Sequence, residues 1–154
     1  MSVVCPTDDT SCGKSQSFFR VFLSPHSIEK NPEDILSHNV AIGLRNQVLD
    51  GWPIVFFHVP NENYTTATYA MKTNTIGRIP GAPDFVIVSP NKTVFLELKA
   101  PGRKAKLSDK QQAFQKWSDF VGIPYRVVST VEEVRKTLFK EFSGIANLSI
   151  LSDA

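Results

Sequence analysis

The sequence predicts an α/β domain, a mixed sheet flanked by helices in the order α-β-β-β-α-β-α. Three observations predict it. Four short runs rich in Val, Ile and Phe, at 53–59, 84–89, 93–99 and 125–129, are bounded by Pro, Gly and Asn as strands are. Three segments open on helix-capping residues and continue with apolar side chains at near-helical spacing. The chain has 154 residues, 42% hydrophobic and 21% charged, the usage of one ordinary globular domain. That composition excludes wholesale disorder, collagen and a coiled-coil rod.

In chain order, residues 1–24 read as an N-terminal arm, polar to residue 16 and ending in the apolar patch FFRVFL at 18–23. The domain is expected over 25–142 and a tail over 143–154. The first helix starts at Asn31, a capping residue, followed by Pro32 at the first helical position and by Glu33 and Asp34, which suit the positive end of the helix dipole. Ile35, Leu36, Val40, Leu44 and Val48 supply its apolar side, and Asp50-Gly51 ends it. Between the first two strand runs lies a polar connection, 60–83, closing in GRIPGAP; a loop this long in a small domain is usually functional or mobile. Ser108-Asp109-Lys110-Gln111 reads as a capping box opening a second helix, with Phe114, Trp117, Phe120 and Val121 on its buried side. Thr130-x-x-Glu133 opens the last one, striped by Val131, Val134, Leu138 and Phe142.

The longest apolar runs are far too short to span a bilayer, and no basic start followed by an apolar stretch marks a signal peptide, so a soluble, intracellular protein without a membrane partner is expected. Cys5 and Cys12, without neighbouring histidines, make no zinc site. His26, His38 and His58 are scattered, and no Cys–His or Ser–His arrangement points to covalent catalysis. A formal charge of +2 does not announce nucleic acid, but from Lys99 to Lys110 five basic residues (Lys99, Arg103, Lys104, Lys106, Lys110) stand against Asp109 alone.

Chemistry concentrates in VFLELK. A strand apolar on both faces belongs in the middle of a sheet, yet this one carries Glu97 and Lys99, two apart and so on one face. Burying either charge is costly unless they pair or meet a metal. Antiparallel pairing across a turn at Pro90-Asn91 would bring Asp84 beside both. Two carboxylates and a lysine suit phosphodiester hydrolysis: carboxylate oxygens hold Mg²⁺, and a lysine orients a nucleophile or offsets developing charge. A plain buried ion-pair group satisfies the same residues.

The sequence from Gly77 to Asp84, GRIPGAPD, followed by FLELKAPG at 95–102 and KLSDKQ at 106–111, resembles the VRR-NUC family of the PD-(D/E)xK nucleases. His58-Val-Pro-Asn-Glu and the helix opening at Glu33 resemble it too, so the likeness runs from about residue 32 to about 135. It implies a restriction-endonuclease-like fold and DNA cleavage dependent on Mg²⁺ or Mn²⁺. Carried over residue by residue, it makes Asp84, Glu97, Lys99 and Gln111 catalytic, and Glu33, Asp84, Glu97 and the Leu98 carbonyl metal ligands. Asp34 competes with Glu33, which counting back from Leu44-Arg45 favours, and helix capping competes for Gln111. Arg103, Lys104, Lys106 and Lys110 become a DNA-backbone track, with His58 and Asn61 nearby. Members made of this domain alone resemble Holliday-junction resolvases, which implies a homodimer acting on four-way junctions. A nuclease or nickase on ordinary duplex, and a noncatalytic DNA-binding protein of the same fold, stay open as alternatives.

Overall fold

Helix α1 (Pro32–Leu49) begins where Asn31 leaves extended backbone: its side-chain oxygen accepts the Glu33 N–H at 3.2 Å, with Pro32 next in the first turn. Leu36, Val40, Leu44 and Val48, four apart, form its buried stripe. The computed structural model describes residues 31–60, 66–102 and 106–143. The expected arm at 1–24, the two cysteines, Asn61, Arg103, Lys104 and all of the tail but Ser143 lie outside the described residues.

Among the described residues, four strands follow the expected runs closely: β1 (Val55–His58), β2 (Phe85–Ser89), β3 (Lys92–Leu98) and β4 (Tyr125–Val128), in the spatial order β1-β2-β3-β4. β1/β2 and β2/β3 are antiparallel and β3/β4 is parallel, so the sheet is mixed and β3 is interior, as its two-sided apolar pattern requires. The Ser89 hydroxyl closes the β2–β3 turn, donating to Lys92 O at 2.9 Å and accepting the Lys92 N–H at 3.1 Å. The parallel pair needs a crossover, which α3 (Asp109–Phe120) supplies. Helix α4 (Val131–Phe142) ends the described chain; Thr130 accepts the Glu133 N–H at 3.1 Å, and the Glu133 carboxylate takes the Ser129 N–H at 2.6 Å.

One element departs from the expected order. The connection 60–83, expected to be a single long loop, contains helix α2 (Ala67–Thr75), so among the described residues the order is α-β-α-β-β-α-β-α. Thr66 caps it by accepting the Tyr69 N–H at 3.3 Å. Only Thr73 is buried, and Tyr69 and Met71 are exposed, so no apolar stripe announces the helix.

The core lies between α1, α4 and one sheet face. Phe85, Ile87, Val94, Leu96, Leu98 and Val128 meet Leu36, Val40, Leu44, Val134, Leu138 and Phe142 there. Ile87, Val94 and Leu96 are wholly buried, each contributing roughly 1.5–3 kcal/mol. On the opposite face α3 lays Phe114 against Phe95 and Tyr125, with ring centroids 5.3 and 6.1 Å apart. Among the described residues, no helix is long and apolar enough to cross a membrane.

Candidate active site

Strand alternation sorts β2 and β3 into two faces. Phe85, Ile87, Leu96 and Leu98 enter the core, which leaves Asp84, Val86, Phe95, Glu97 and Lys99 for the α3 side. The register sets Phe85 opposite Leu96, so Asp84 and Glu97 are the next facing pair at the end of the ladder. Asp84 is fixed there by the Leu98 N–H, which donates to Oδ2 at 2.7 Å. The turn geometry expected from Pro90-Asn91 is therefore what brings the acids together.

Glu97 is 1% exposed, and both its oxygens are engaged. Oε1 accepts from Lys99 Nζ at 2.8 Å and from Gln111 Nε2; Oε2 accepts from the Tyr125 hydroxyl at 3.1 Å. Even so, burial pushes the Glu97 carboxyl up, and the Asp84 charge adds to it; the bonds from Lys99 and Tyr125 offset only part, leaving it at about 7. Asp84 is raised too, by burial above all and against the Leu98 N–H and Lys99. Burial, then the charge of Glu97, raises the Tyr125 phenol, which keeps its proton and serves as a donor. One ammonium thus faces two carboxylates, Glu97 being largely buried, and their repulsion is incompletely offset.

Gln111 makes both sets of contacts, closing the helix cap and reaching Glu97 and Lys99. Its Oε1 accepts the Ser108 N–H at 2.9 Å and Lys99 Nζ at 3.2 Å, while Ser108 Oγ accepts the Gln111 N–H at 3.3 Å, completing the capping box. Its Nε2 donates to Glu97. The helix cap is what aims this amide at Glu97 and Lys99. From the first turn of α1, Glu33 Oε1 accepts the Ala100 N–H at 3.3 Å, and its charge also acts on Asp84. Glu33, rather than Asp34, is the acid tied to the end of β3.

Lys106 and Lys110 are exposed on the segment leading into α3 and on its first turn. His58 packs its ring edgewise on Phe85, centroids 5.1 Å apart, and its charge is felt at Asp84. A cleft of about 270 Å³ opens at Asp84 and Gln111, walled by Arg78, Ser108 and Lys110 and by the Pro80-Gly81-Ala82 turn.

Two of these residues were not singled out from sequence. Tyr125 opens an ordinary strand run, and only the parallel register, which pairs it with Phe95, carries it to Glu97. Arg78 sat within the Gly77–Asp84 motif without a role.

Among the described residues, no three His, Cys, Asp or Glu side chains are gathered closely enough to enclose a metal as they stand. The donor chemistry nevertheless fits a hard divalent cation. Asp84 and Glu97 are facing carboxylates whose mutual repulsion is incompletely offset, Glu33 adds a third negative charge felt at Asp84, and all the donors are oxygens. Compared with family models, with curated proteins and with solved structures, the chain matches none.

Proposed function

We propose that this chain is a metal-dependent DNA endonuclease of the VRR-NUC type, with a restriction-endonuclease-like sheet, acting as a homodimer on branched DNA. The observation that carries the reading is the convergence of Asp84, Glu97, Lys99 and Gln111 at one end of the β2–β3 ladder. In a balanced structural ion pair the cations hold the carboxylate low, whereas here Asp84 and Glu97 are both raised, which supports a site poised to take up positive charge.

In this reading Asp84 and Glu97, with Glu33 and the Leu98 carbonyl, would hold Mg²⁺ or Mn²⁺. When bound, such an ion polarises the scissile phosphate and lowers the pKa of its water. Lys99, oriented by Glu97 and Gln111, positions the attacking water and offsets negative charge that develops on the phosphate oxygens. Gln111 fixes that ammonium from the helix cap. Tyr125 holds the other Glu97 oxygen, so the carboxylate does not rotate away from the site. Water adds to phosphorus, one P–O bond to a sugar oxygen breaks, and the cut leaves a phosphate end and a hydroxyl end. Arg103, Lys104, Lys106 and Lys110 follow the catalytic strand directly and suit the backbone of the bound duplex.

The test is cleavage of labelled four-way junction and linear duplex with Mg²⁺, Mn²⁺ or EDTA, using the native chain and Lys99→Ala. Paired symmetrical cuts confined to the junction, lost with EDTA and reduced about a thousandfold in Lys99→Ala, are the expected result. Equal cutting of both substrates would keep the nuclease and remove the junction preference. Binding without metal-dependent cutting of either would leave a DNA-binding protein of the same architecture.

A further inference from the structure

We infer that Arg78 is a phosphate-binding residue, which with Lys110 grips a phosphate of the cleaved strand in the cleft beside Asp84; the inference rests on the nuclease reading. The cleft is small, about 270 Å³, with Asp84 and Gln111 on one side and Arg78, Ser108 and Lys110 around the rest. A phosphodiester entering it meets the negative charges of Asp84, Glu97 and Glu33. Lys99, just past β3, is shared between Glu97 and Gln111 and offsets only part of that charge. Further positive charge to admit an anion can come from the cleft walls, and among the described residues Arg78 and Lys110 are the cations that line them.

Arg78 is also held in place as a binding group should be. Its backbone N–H donates to Thr73 O at 2.9 Å, tying the main chain there to the end of α2, and the residue is half-buried where Lys110 is exposed. Three residues on, Gly81 has φ +85°, and a Cβ there would lie 2.4 Å from both C and O of Lys110 and 2.8 Å from the Gln111 N. Only glycine allows that approach. The Arg78 turn and the first turn of α3 are therefore pressed together, so Arg78, Lys110 and Gln111 share one rigid frame. An arginine on this frame brings a planar pair of donors for two phosphate oxygens, which an ammonium cannot match.

The experiment scans single neutral methylphosphonates along a labelled four-way junction, with Ca²⁺ in place of Mg²⁺ so that binding is read without cutting. Native chain, Arg78→Ala and Arg78→Lys are compared, with thermal melts to establish folding. In the native chain, one position next to the cut is expected to weaken binding about tenfold to a hundredfold, the scale of a charge-assisted contact. Arg78→Ala should bind the unmodified junction more weakly by the same factor, flatten the salt dependence by about one phosphate contact, and no longer respond to that methylphosphonate. Arg78→Lys should recover part of the affinity and respond again. If every modified position weakens native and variant chains equally, or if the native chain binds no DNA, Arg78 has no such role. Should Arg78→Ala not fold, Arg78→Lys carries the test: weaker binding of the unmodified junction with a reduced response to that methylphosphonate supports the contact, and full response at native affinity overturns it. Native binding with the expected coupling but no cutting in Mg²⁺ or Mn²⁺ would sink the nuclease reading and keep the phosphate contact.

Discussion

Two buried glutamates occupy opposite faces of the same sheet. Glu141, near the end of α4, meets Lys92 Nζ at 2.6 Å and Arg126 Nη2 at 2.7 Å, with Arg126 Nε donating to the same oxygen at 2.7 Å. Burial acts to raise its carboxyl, but the hydrogen bonds and charges of two cations outweigh it, and the group sits below the ordinary range. Glu97 has one cation, a second carboxylate across the ladder, and a value of about 7. Both sites bury a carboxylate among hydrogen bonds. They differ in whether the charges balance. A balanced group stabilises a fold; an unbalanced one is maintained at a cost that a proton relieves and that, in the reading proposed above, a divalent cation would relieve.

The largest expected effect separates the two sites by activity. Glu97→Ala should reduce metal-dependent cleavage about a thousandfold or more while leaving DNA binding within a few-fold of native. Glu141→Gln should leave cleavage per folded molecule nearly unchanged, read from initial rates normalised to the folded fraction. Retained cleavage in Glu97→Ala, or equal losses in the two variants, would erase the distinction between them.

Stability should reverse the ranking. Glu141→Gln removes the anion that two cations share and is expected to cost about 1–3 kcal/mol. Glu97→Gln, measured with EDTA, relieves an under-compensated charge and should leave the protein equally stable at neutral pH or more stable by roughly 1–3 kcal/mol. The pH dependences carry opposite signs. Glu141 is held below its ordinary 4.5, so its contribution is full above 4.5 and is lost as pH falls below that value. Glu97 rises from 4.5 to about 7, so between those values the native state keeps a proton that the unfolded chain releases, and stability falls as pH increases through the window. Metal-free thermal melts across acid and neutral pH should show each slope vanish in the matching Gln variant and persist in the other. A slope at neutral pH that survives Glu97→Gln would assign it to another group.

Much of the candidate site was legible because strand arithmetic is simple. A period of two puts Glu97 and Lys99 on one face, and a short turn fixes which residue of β2 faces Glu97. The balanced site was not legible by the same means. Lys92 and Arg126 come from strands paired in parallel through a helix, and no local turn sets that register. Tyr125 was missed for the same reason. Glu141 follows Lys140 near the end of a helix whose apolar stripe was evident, where an acid reads as solvent-facing polarity. Helix α2 was missed because it buries only Thr73 and therefore prints no apolar period into the sequence. Local pattern located the α1 and α4 stripes but misplaced the side of α3, where Trp117, Phe120 and Val121, expected buried, are exposed; it is silent on helices that barely touch the core and on pairings set by crossovers.

The smallest effect is expected from Lys92→Ala. The Lys92 ammonium lies close to Glu141 Oε2, but its side chain is 35% exposed, so water already screens it. With Lys92 gone, Arg126 still holds Oε1 through two nitrogens, and the carboxylate keeps a charge partner. The loss should stay below about 1 kcal/mol in chemical denaturation, and Lys92→Met should recover part of it, since the stem of the side chain covers apolar surface. A loss as large as that of Glu141→Gln would mean that Lys92 alone balances the pair. Glu141 would then be a one-cation site like Glu97, and the count of cations would no longer explain why one glutamate titrates low and the other high.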